Sequence, residues 1–124
     1  MLSVISVIDD DASVRAATDN LLSSLGYIVH TFASAEEFLQ SPGLHDCACV
    51  VADVHMTGMT GLNLLGRMRS QGHNTPFVFI TAFPEDGVRD RALRVGAVGF
   101  LAKPYSAPDL IKCVETAVRD GGAG

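Results

Sequence analysis

The sequence predicts an α/β protein, a doubly wound parallel sheet of five strands with helices on both faces. Short apolar runs alternate with segments of helical spacing through the 124 residues, and glycines follow three of the helical segments. The length fits one domain with a single core. We expect this domain to cover residues 1–120, with a flexible tail or the start of a linker over residues 121–124.

Five apolar runs have the length and composition of strands that are buried on both faces of a sheet. In chain order the predicted strands are Ser3–Ile8, Tyr27–Thr31, Ala48–Ala52, Phe77–Thr81 and Val98–Leu101. Three other segments carry apolar stripes at the spacing of one helix face. These stripes are Val14, Ala17, Leu21 and Leu25, then Leu62, Leu65 and Met68, and finally Leu110, Cys113, Val114 and Ala117.

Capping residues mark the ends of the predicted helices. Ser34 precedes Glu37 by three residues, which is the spacing of a capping box, and Ser106 with Asp109 resembles one. Glycine after a helix favours the left-handed backbone conformation that ends it. The glycines predicted to end helices are Gly26, Gly72 and Gly96.

The segment Glu85–Val95 has the weakest helical pattern of the chain. Its apolar candidates Val88, Ala92 and Val95 are sparse and lie among charged residues. A solvated helix face is the plainer interpretation. The alternative is a loosely packed helix whose surface meets a partner.

The composition excludes several classes of function. Hydrophobic residues make up 48% and charged residues 19% of the chain, which is typical of a globular domain. The net charge of −5 and the nine scattered Lys and Arg residues argue against binding of nucleic acid or an anionic membrane by this domain. There is no basic leader and no run of about 20 apolar residues, so we expect a soluble, cytoplasmic protein.

The cysteines do not form a metal motif. Cys47 and Cys49 lie two apart in an apolar run, and Cys113 is far along the chain. Neither a second cysteine pair nor a histidine pair stands at ligand spacing. The odd number favours free thiols in a reducing compartment.

Polar side chains follow four of the predicted strands, where ligands of such sheets bind. The first strand runs into Asp9-Asp10-Asp11, the third into Asp53, and the fourth ends in Thr81, while Lys103-Pro104 follows the fifth. Clustered carboxylates repel one another unless some are protonated or a cation lies among them, and hard oxygen ligands favour Mg²⁺. A carboxylate beside that ion could attack a phosphoryl group.

Each of these residues also has a plainer interpretation. Three aspartates after a strand can simply complement the dipole of the following helix. A lone aspartate or threonine at a strand end, or a lysine before proline, is usually an ordinary surface residue. Their joint placement at four strand ends is what favours a functional site.

Over nearly its whole length the sequence resembles the receiver domains of two-component response regulators. The motifs that carry the resemblance are Asp9-Asp10, the segment from Asp53 to Gly61, Thr81-Ala82, and the run from Gly99 to Pro104. The resemblance implies a flavodoxin-like receiver fold with strand order 2-1-3-4-5. It also implies a signalling switch rather than an enzyme, with intrinsic self-phosphorylation from small phosphodonors and self-dephosphorylation.

The resemblance assigns roles to individual residues. It implies phosphorylation of Asp53 by a sensor histidine kinase with Mg²⁺, for which Mn²⁺ can substitute. Asp10 would bind the ion directly, Asp9 mainly through water, and Asp53 and the His55 carbonyl would be further ligands. Thr81 would contact the phosphoryl group and act as a switch residue, and Lys103 would contact the phosphoryl group. Phe100 would turn inward on activation, and the Lys103-Pro104 peptide would be cis.

The output surface implied for this family is the fourth helix, fifth strand and fifth helix, here Glu85 to Arg119, which would also form a homodimer. The sequence looks most like the branch that precedes a C-terminal helix-turn-helix domain in nitrogen-fixation and nodulation activators, so transcription is the expected output. We expect either a stand-alone receiver or the receiver part of a protein that also carries such an effector. Thr57 stands where the family usually has proline. The resemblance implies that His55 and Phe83 occupy positions that influence how fast the phosphoryl group is lost, while an ordinary loop aromatic is the plainer interpretation of Phe83.

Three rival functions are open at this stage. A haloacid-dehalogenase-like phosphatase would use the Asp-x-Asp pattern of Asp9 and Asp11, but the short chain leaves little room for a cap domain and Asp53 would have no role. A flavodoxin-like cofactor binder shares the fold class, but three aspartates would repel its phosphate. A receiver that signals by binding alone would not need the acidic and lysine residues to be intact.

Overall fold

The structure, a computed structural model, describes residues 3–41, 47–82 and 86–123. Its strands are β1 Val4–Ile8, β2 Ile28–Phe32, β3 Cys49–Asp53, β4 Phe77–Thr81 and β5 Gly99–Ala102. Its helices are α1 Ala12–Ser24, α2 Ala35–Leu39, α3 Gly61–Ser70, α4 Asp86–Arg94 and α5 Ala107–Ala123. The strands are parallel in the order 2-1-3-4-5, which confirms the predicted fold class.

Two apolar layers cover the central strands, because successive side chains of a strand point to opposite faces. In β3, Val51 packs with α1 and α5, while Val50 packs with α2, α3 and α4. Leu22 of α1 and Leu110 of α5 are fully buried on the first face, and Phe38 of α2 is fully buried on the second. β3 and β4 are therefore buried along their whole length.

The predicted strands are present, with small shifts in their bounds. β4 has the predicted ends, whereas β3 and β5 begin and end one residue later than predicted, so that Asp53 is the last residue of β3 rather than the residue after it. The prediction of burial is wrong for β2. This strand pairs with β1 at the edge of the sheet, and residues such as Ile28 and His30 are exposed.

The stripe predicted for α1 is wrong in two of its four members. Ala17 is exposed, and Leu25 lies beyond the last turn as the C-cap residue with 46% of its surface exposed. Thr18 and Leu22 are buried instead, so the helix is turned by about one residue from the predicted face. Sequence hydropathy misses this because a threonine can bury its methyl group.

The helix boundaries agree with the predicted caps. The Ser34 hydroxyl accepts a hydrogen bond from the Glu37 N–H, and the Ser106 hydroxyl accepts one from Asp109. The three predicted terminal glycines all have positive φ angles, between 88° and 112°. α5 extends through Ala123, which is three residues beyond the predicted boundary at 120. That domain boundary stays a prediction.

In α4, the apolar candidates of the weak segment differ in their burial. Ala92 is fully buried, Val88 is half-buried, and Val95 follows the helix with 46% exposure. Most of the helix surface is solvated, as the plainer interpretation expects. Glu85 lies outside the described residues.

Gly61, the first residue of α3, has no room for a side chain. A Cβ there would lie 2.5 Å from the Asp53 carbonyl oxygen and 2.9 Å from Phe79 Cε1. We expect Gly61→Ala to lower the free energy of unfolding by about 1–3 kcal/mol, because backbone would have to shift. In the same helix, a Cβ at Gly66 would meet no atom within 4 Å. Gly66→Ala should therefore raise the free energy of unfolding by about 0.5–1 kcal/mol, because alanine favours the helix more than glycine does. Urea denaturation measures both, and equal effects would contradict this account.

Candidate functional site

Three carboxylates meet at the carboxyl edge of the sheet. Asp9 follows β1 and is buried, Asp53 ends β3 and is buried, and Asp10 is exposed. One oxygen of each lies within 4.8 Å of the others. Adjacent parallel strands end at the same edge of the sheet. For this reason Asp53 joins Asp9 and Asp10 in one cluster, although it lies at least 43 positions after them in the sequence.

Lys103 joins two of these carboxylates. Its ammonium nitrogen lies 3.0 Å from Asp53 Oδ2 and 3.4 Å from Asp9 Oδ2. Burial alone would lower the pKa of Lys103, but the hydrogen bond and charge of Asp53, followed by the charge of Asp9, raise it above its ordinary value. The lysine therefore stays charged and leaves the cluster with a net negative charge.

The backbone around Lys103 fixes where its side chain starts. The Lys103 N–H donates to the Thr81 carbonyl at 2.7 Å, which continues the pairing of β4 with β5. The Lys103–Pro104 peptide is cis, as the family resemblance implies.

Asp9 has two further partners besides Lys103. Its Oδ1 accepts a hydrogen bond from the Asp11 N–H at 2.9 Å, and its backbone carbonyl accepts one from the Arg15 guanidinium at 2.7 Å. Burial raises the pKa of the Asp9 carboxyl and the nearby Asp53 charge adds to this, while the Asp11 amide and Lys103 offset part of it. Sequence reasoning missed this role of Arg15, because the contact spans six residues across the turn from β1 into α1.

Asp11 has a different structural role from Asp9 and Asp10. Its carboxylate accepts hydrogen bonds from the N–H groups of Ser13 and Val14, so it is the N-cap of α1. The plainer interpretation of the three aspartates is therefore correct for Asp11 alone. A phosphatase that uses Asp9 and Asp11 as an Asp-x-Asp pair would need Asp11 free to face the substrate.

The loop after β3 brings further groups to the cluster. The His55 N–H donates to Asp53 Oδ1 at 2.9 Å, and the Thr57 N–H donates to Asp10 Oδ2 at 3.3 Å. The Met59 N–H donates to the Glu36 carboxylate of α2 at 3.1 Å. Sequence reasoning did not find the contact of Glu36, which lies 23 residues from Met59 and is brought near by the fold.

The other predicted residues lie along the neighbouring strands. Thr81 is fully buried at the end of β4, and Phe100 is half-buried in β5 opposite Phe79. His55 is exposed next to the cluster. Phe83 lies outside the described residues.

The donor set fits a hard divalent cation. Among the residues that the structure describes, Asp9, Asp10 and Asp53 are the one group of acidic, histidine and cysteine side chains placed to share a metal ion. All the donors are carboxylate oxygens, and three carboxylates against one ammonium leave two negative charges. Mg²⁺ suits this set, since it prefers oxygen ligands and keeps several waters.

Comparisons with known proteins agree with this geometry. A family profile described as the response regulator receiver domain matches residues 5–115. The transcriptional regulatory protein FixJ of Bradyrhizobium diazoefficiens is 40% identical over 93% of this chain and 56% of its own length. The response regulator protein TmoT of Ectopseudomonas mendocina is 34% identical over 94% of this chain and 53% of its own length. The chain thus spans about half the length of these curated relatives.

A solved structure is similar over the whole fold. The response regulator StyR superposes with a TM-score of 0.92 at 34% identity, covering 99% of this chain and 62% of that one. In the described ranges, no helix has both the length and the apolar character that crossing a bilayer requires.

Ionised Asp9 should destabilise the metal-free fold. Because its pKa is raised above the ordinary 3.8, the folded chain binds more protons than the unfolded chain above that pH, and stability falls as the pH rises through the folded pKa. We expect Asp9→Asn to raise the thermal midpoint in EDTA at pH 7, with a smaller difference from wild type below about pH 4. Asp90→Asn on the surface of α4 removes the same charge and is the control. An equal rise of the thermal midpoint in both variants would show that the net charge of the protein, and not the burial of Asp9, causes the stabilisation.

Proposed function

We propose, because this chain belongs to the response regulator receiver domain family, that Asp53 accepts a phosphoryl group from a sensor histidine kinase. A receiver domain is the signalling switch of a two-component system, and members of the family partner with sensor histidine kinases. The observation that supports Asp53 is its position: it is a buried member of the carboxylate cluster, 3.0 Å from the Lys103 ammonium.

The transfer replaces one bond to phosphorus with another. An oxygen of the Asp53 carboxylate attacks the phosphorus of a phosphohistidine as the N–P bond breaks, and the leaving electron pair returns to the imidazole nitrogen. Lys103 then moves from Asp53 Oδ2 to an oxygen of the phosphoryl group, and the Thr81 hydroxyl donates to another. Small phosphodonors would react in the same way, and water would later hydrolyse the acyl phosphate.

Receiver domains bind Mg²⁺ at an acidic cluster, which this chain has. When bound, the ion neutralises charge on the transferring phosphoryl oxygens. We assign the direct contact to Asp10, a water-mediated one to Asp9, and further ligands to Asp53 and the His55 carbonyl. The same oxygen donors would accept Mn²⁺.

The response to phosphorylation would be a shift between two conformations. The added charge draws Thr81 towards the phosphoryl group and leaves space for Phe100 to turn inward, which alters β5 and the surface around it. We assign the output and homodimer surface to α4, β5 and α5. Phe100 is half-buried and packs against the layer that contains Ala92 of α4, so its movement would be felt there.

The wider role of the protein follows from its relatives. FixJ is named a transcriptional regulatory protein, and this chain spans about half of it. We propose that the receiver controls an effector that regulates transcription in the cytoplasm, carried on the same chain after a boundary near residue 120 or on a partner.

We assign to His55, as the resemblance implies, an influence on how long the phosphoryl group lasts. His55 is exposed and helps to line a cavity of about 230 Å³ between α3 and α4, with Val54, Leu62 and Arg91 among its other walls. The resemblance gives Phe83 the same role.

Phosphorylation should depend on Asp53 and Mg²⁺. We expect wild type incubated with acetyl phosphate to gain the mass of one phosphoryl group with Mg²⁺ and none without it. Asp53→Asn should gain none in either case, because an amide is a poor nucleophile. Intact mass spectrometry measures this, with Asp90→Asn as the matched surface control.

The other outcomes separate the rival functions. A gain that persists in Asp53→Asn and is lost in Asp9→Asn would favour the phosphatase. No gain in wild type, either with acetyl phosphate or with a phosphorylated histidine kinase, would favour a receiver that signals by binding alone.

Mg²⁺ should also stabilise the folded chain without any phosphodonor. At a free concentration ten times Kd, binding to the folded state alone raises the free energy of unfolding by about 1.4 kcal/mol. We expect this gain in urea denaturation of wild type and most of it to be lost in Asp10→Ala. An undiminished gain in Asp10→Ala would remove the metal role of Asp10.

A further inference from the structure

The loop between β3 and α3 presents alternate backbone N–H groups to three carboxylates. These carboxylates come from different parts of the fold, and two of them belong to the acidic cluster. The hydrogen bonds run from His55 to Asp53 at 2.9 Å, from Thr57 to Asp10 at 3.3 Å, and from Met59 to Glu36 at 3.1 Å.

Asp10 is the member of the cluster that most needs such a bond. Asp9 and Asp53 are buried and both contact Lys103, whereas Asp10 is exposed. An exposed carboxylate beside two others is repelled by them and can turn into water at little cost. A fixed donor on the loop opposes that rotation, because it makes a charge-assisted hydrogen bond in one orientation of the side chain.

The donor at position 57 depends on the residue type. A proline there would have no N–H, and the bond to Asp10 could not form. We propose that the backbone N–H of Thr57 is a positioning group that holds the Asp10 carboxylate towards Asp9 and Asp53 and so strengthens binding of a divalent cation. This inference rests on the proposed function, since it concerns the same acidic cluster.

The far end of the loop is anchored in a way that keeps this amide in place. Gly58 has a φ of +83°, and a Cβ there would lie 2.7 Å from Glu36 Oε2, so the chain turns tightly against α2. The same Glu36 oxygen accepts the Met59 N–H. The Thr57 amide therefore lies between the hydrogen-bonded amides of His55 and Met59. This lowers the conformational entropy that the loop loses when Thr57 binds Asp10.

The test compares two substitutions of the same residue. Thr57→Pro removes the N–H, and Thr57→Ala keeps it while removing the side-chain hydroxyl. We expect calorimetric titration with MgCl₂ at pH 7, without phosphodonor, to show an affinity about three- to tenfold weaker in Thr57→Pro and within about twofold of wild type in Thr57→Ala. Equal affinity in Thr57→Pro and wild type would overturn the proposal, as would equal weakening in both variants.

A second measurement guards against a general distortion of the loop by proline. In ¹H–¹⁵N spectra of the metal-free protein, Asp10→Ala should move the Thr57 amide proton upfield, whereas Glu36→Ala should mainly move that of Met59. If Asp10→Ala leaves the chemical shift of the Thr57 amide proton unchanged, the proposal is overturned, even if Thr57→Pro binds Mg²⁺ weakly. The urea midpoint of each variant, measured in EDTA, shows whether it is folded.

These results are separable from a failure of the proposed function. If wild type binds Mg²⁺ and is phosphorylated on Asp53 while Thr57→Pro binds equally well, the role of Thr57 alone fails. If wild type binds no Mg²⁺, both the metal site and the role of Thr57 fail.

Discussion

The structure depends on the repulsion between carboxylates that the fold places together and on the lysine that opposes it. Asp9 and Asp53 are buried at the ends of adjacent strands, and the Lys103 ammonium lies within 3.4 Å of both. Their desolvation is tolerable because each has a cationic or N–H partner. The charge that remains is negative, and carboxylate oxygens in such a cluster suit a hard divalent cation. A ligand that changes the charge of such a cluster changes the balance of these interactions, which suits a signalling switch.

Backbone N–H groups, rather than side chains, make many of the hydrogen bonds that hold the carboxylates of the site. The Asp11 N–H stabilises Asp9, and the N–H groups of the loop after β3 stabilise Asp53, Asp10 and Glu36. Amide donors are fixed in direction by the chain, so they order the carboxylates without bringing a further charge that would compete with a metal ion. This also explains why one residue type, at position 57, can matter through its main chain.

Much of the fold and of the site was predictable from the sequence, for local reasons. The buried central strands are apolar throughout, glycines end the helices at positive φ, and motif residues stand at strand ends. The failures have tertiary causes. β2 is apolar yet lies at the sheet edge, and the face of α1 is turned so that Thr18 rather than Ala17 is buried. Hydropathy measures a residue's preference for burial, and the edge of a sheet or a neighbouring helix decides whether the preference is met.

The sequence by itself determined the fold class, the family resemblance and the chemistry of the strand ends, because those depend on residue type and spacing along the chain. Tertiary structure decided that Asp9 and Asp10 join the cluster while Asp11 caps α1, because the path of the chain from β1 into α1 sets where each side chain lies. It also decided that Glu36 and Thr57 hold the loop beside Asp10. Such contacts join residues 23 and 47 positions apart, and no local pattern encodes a hydrogen bond that forms only when the sheet has brought its partners together.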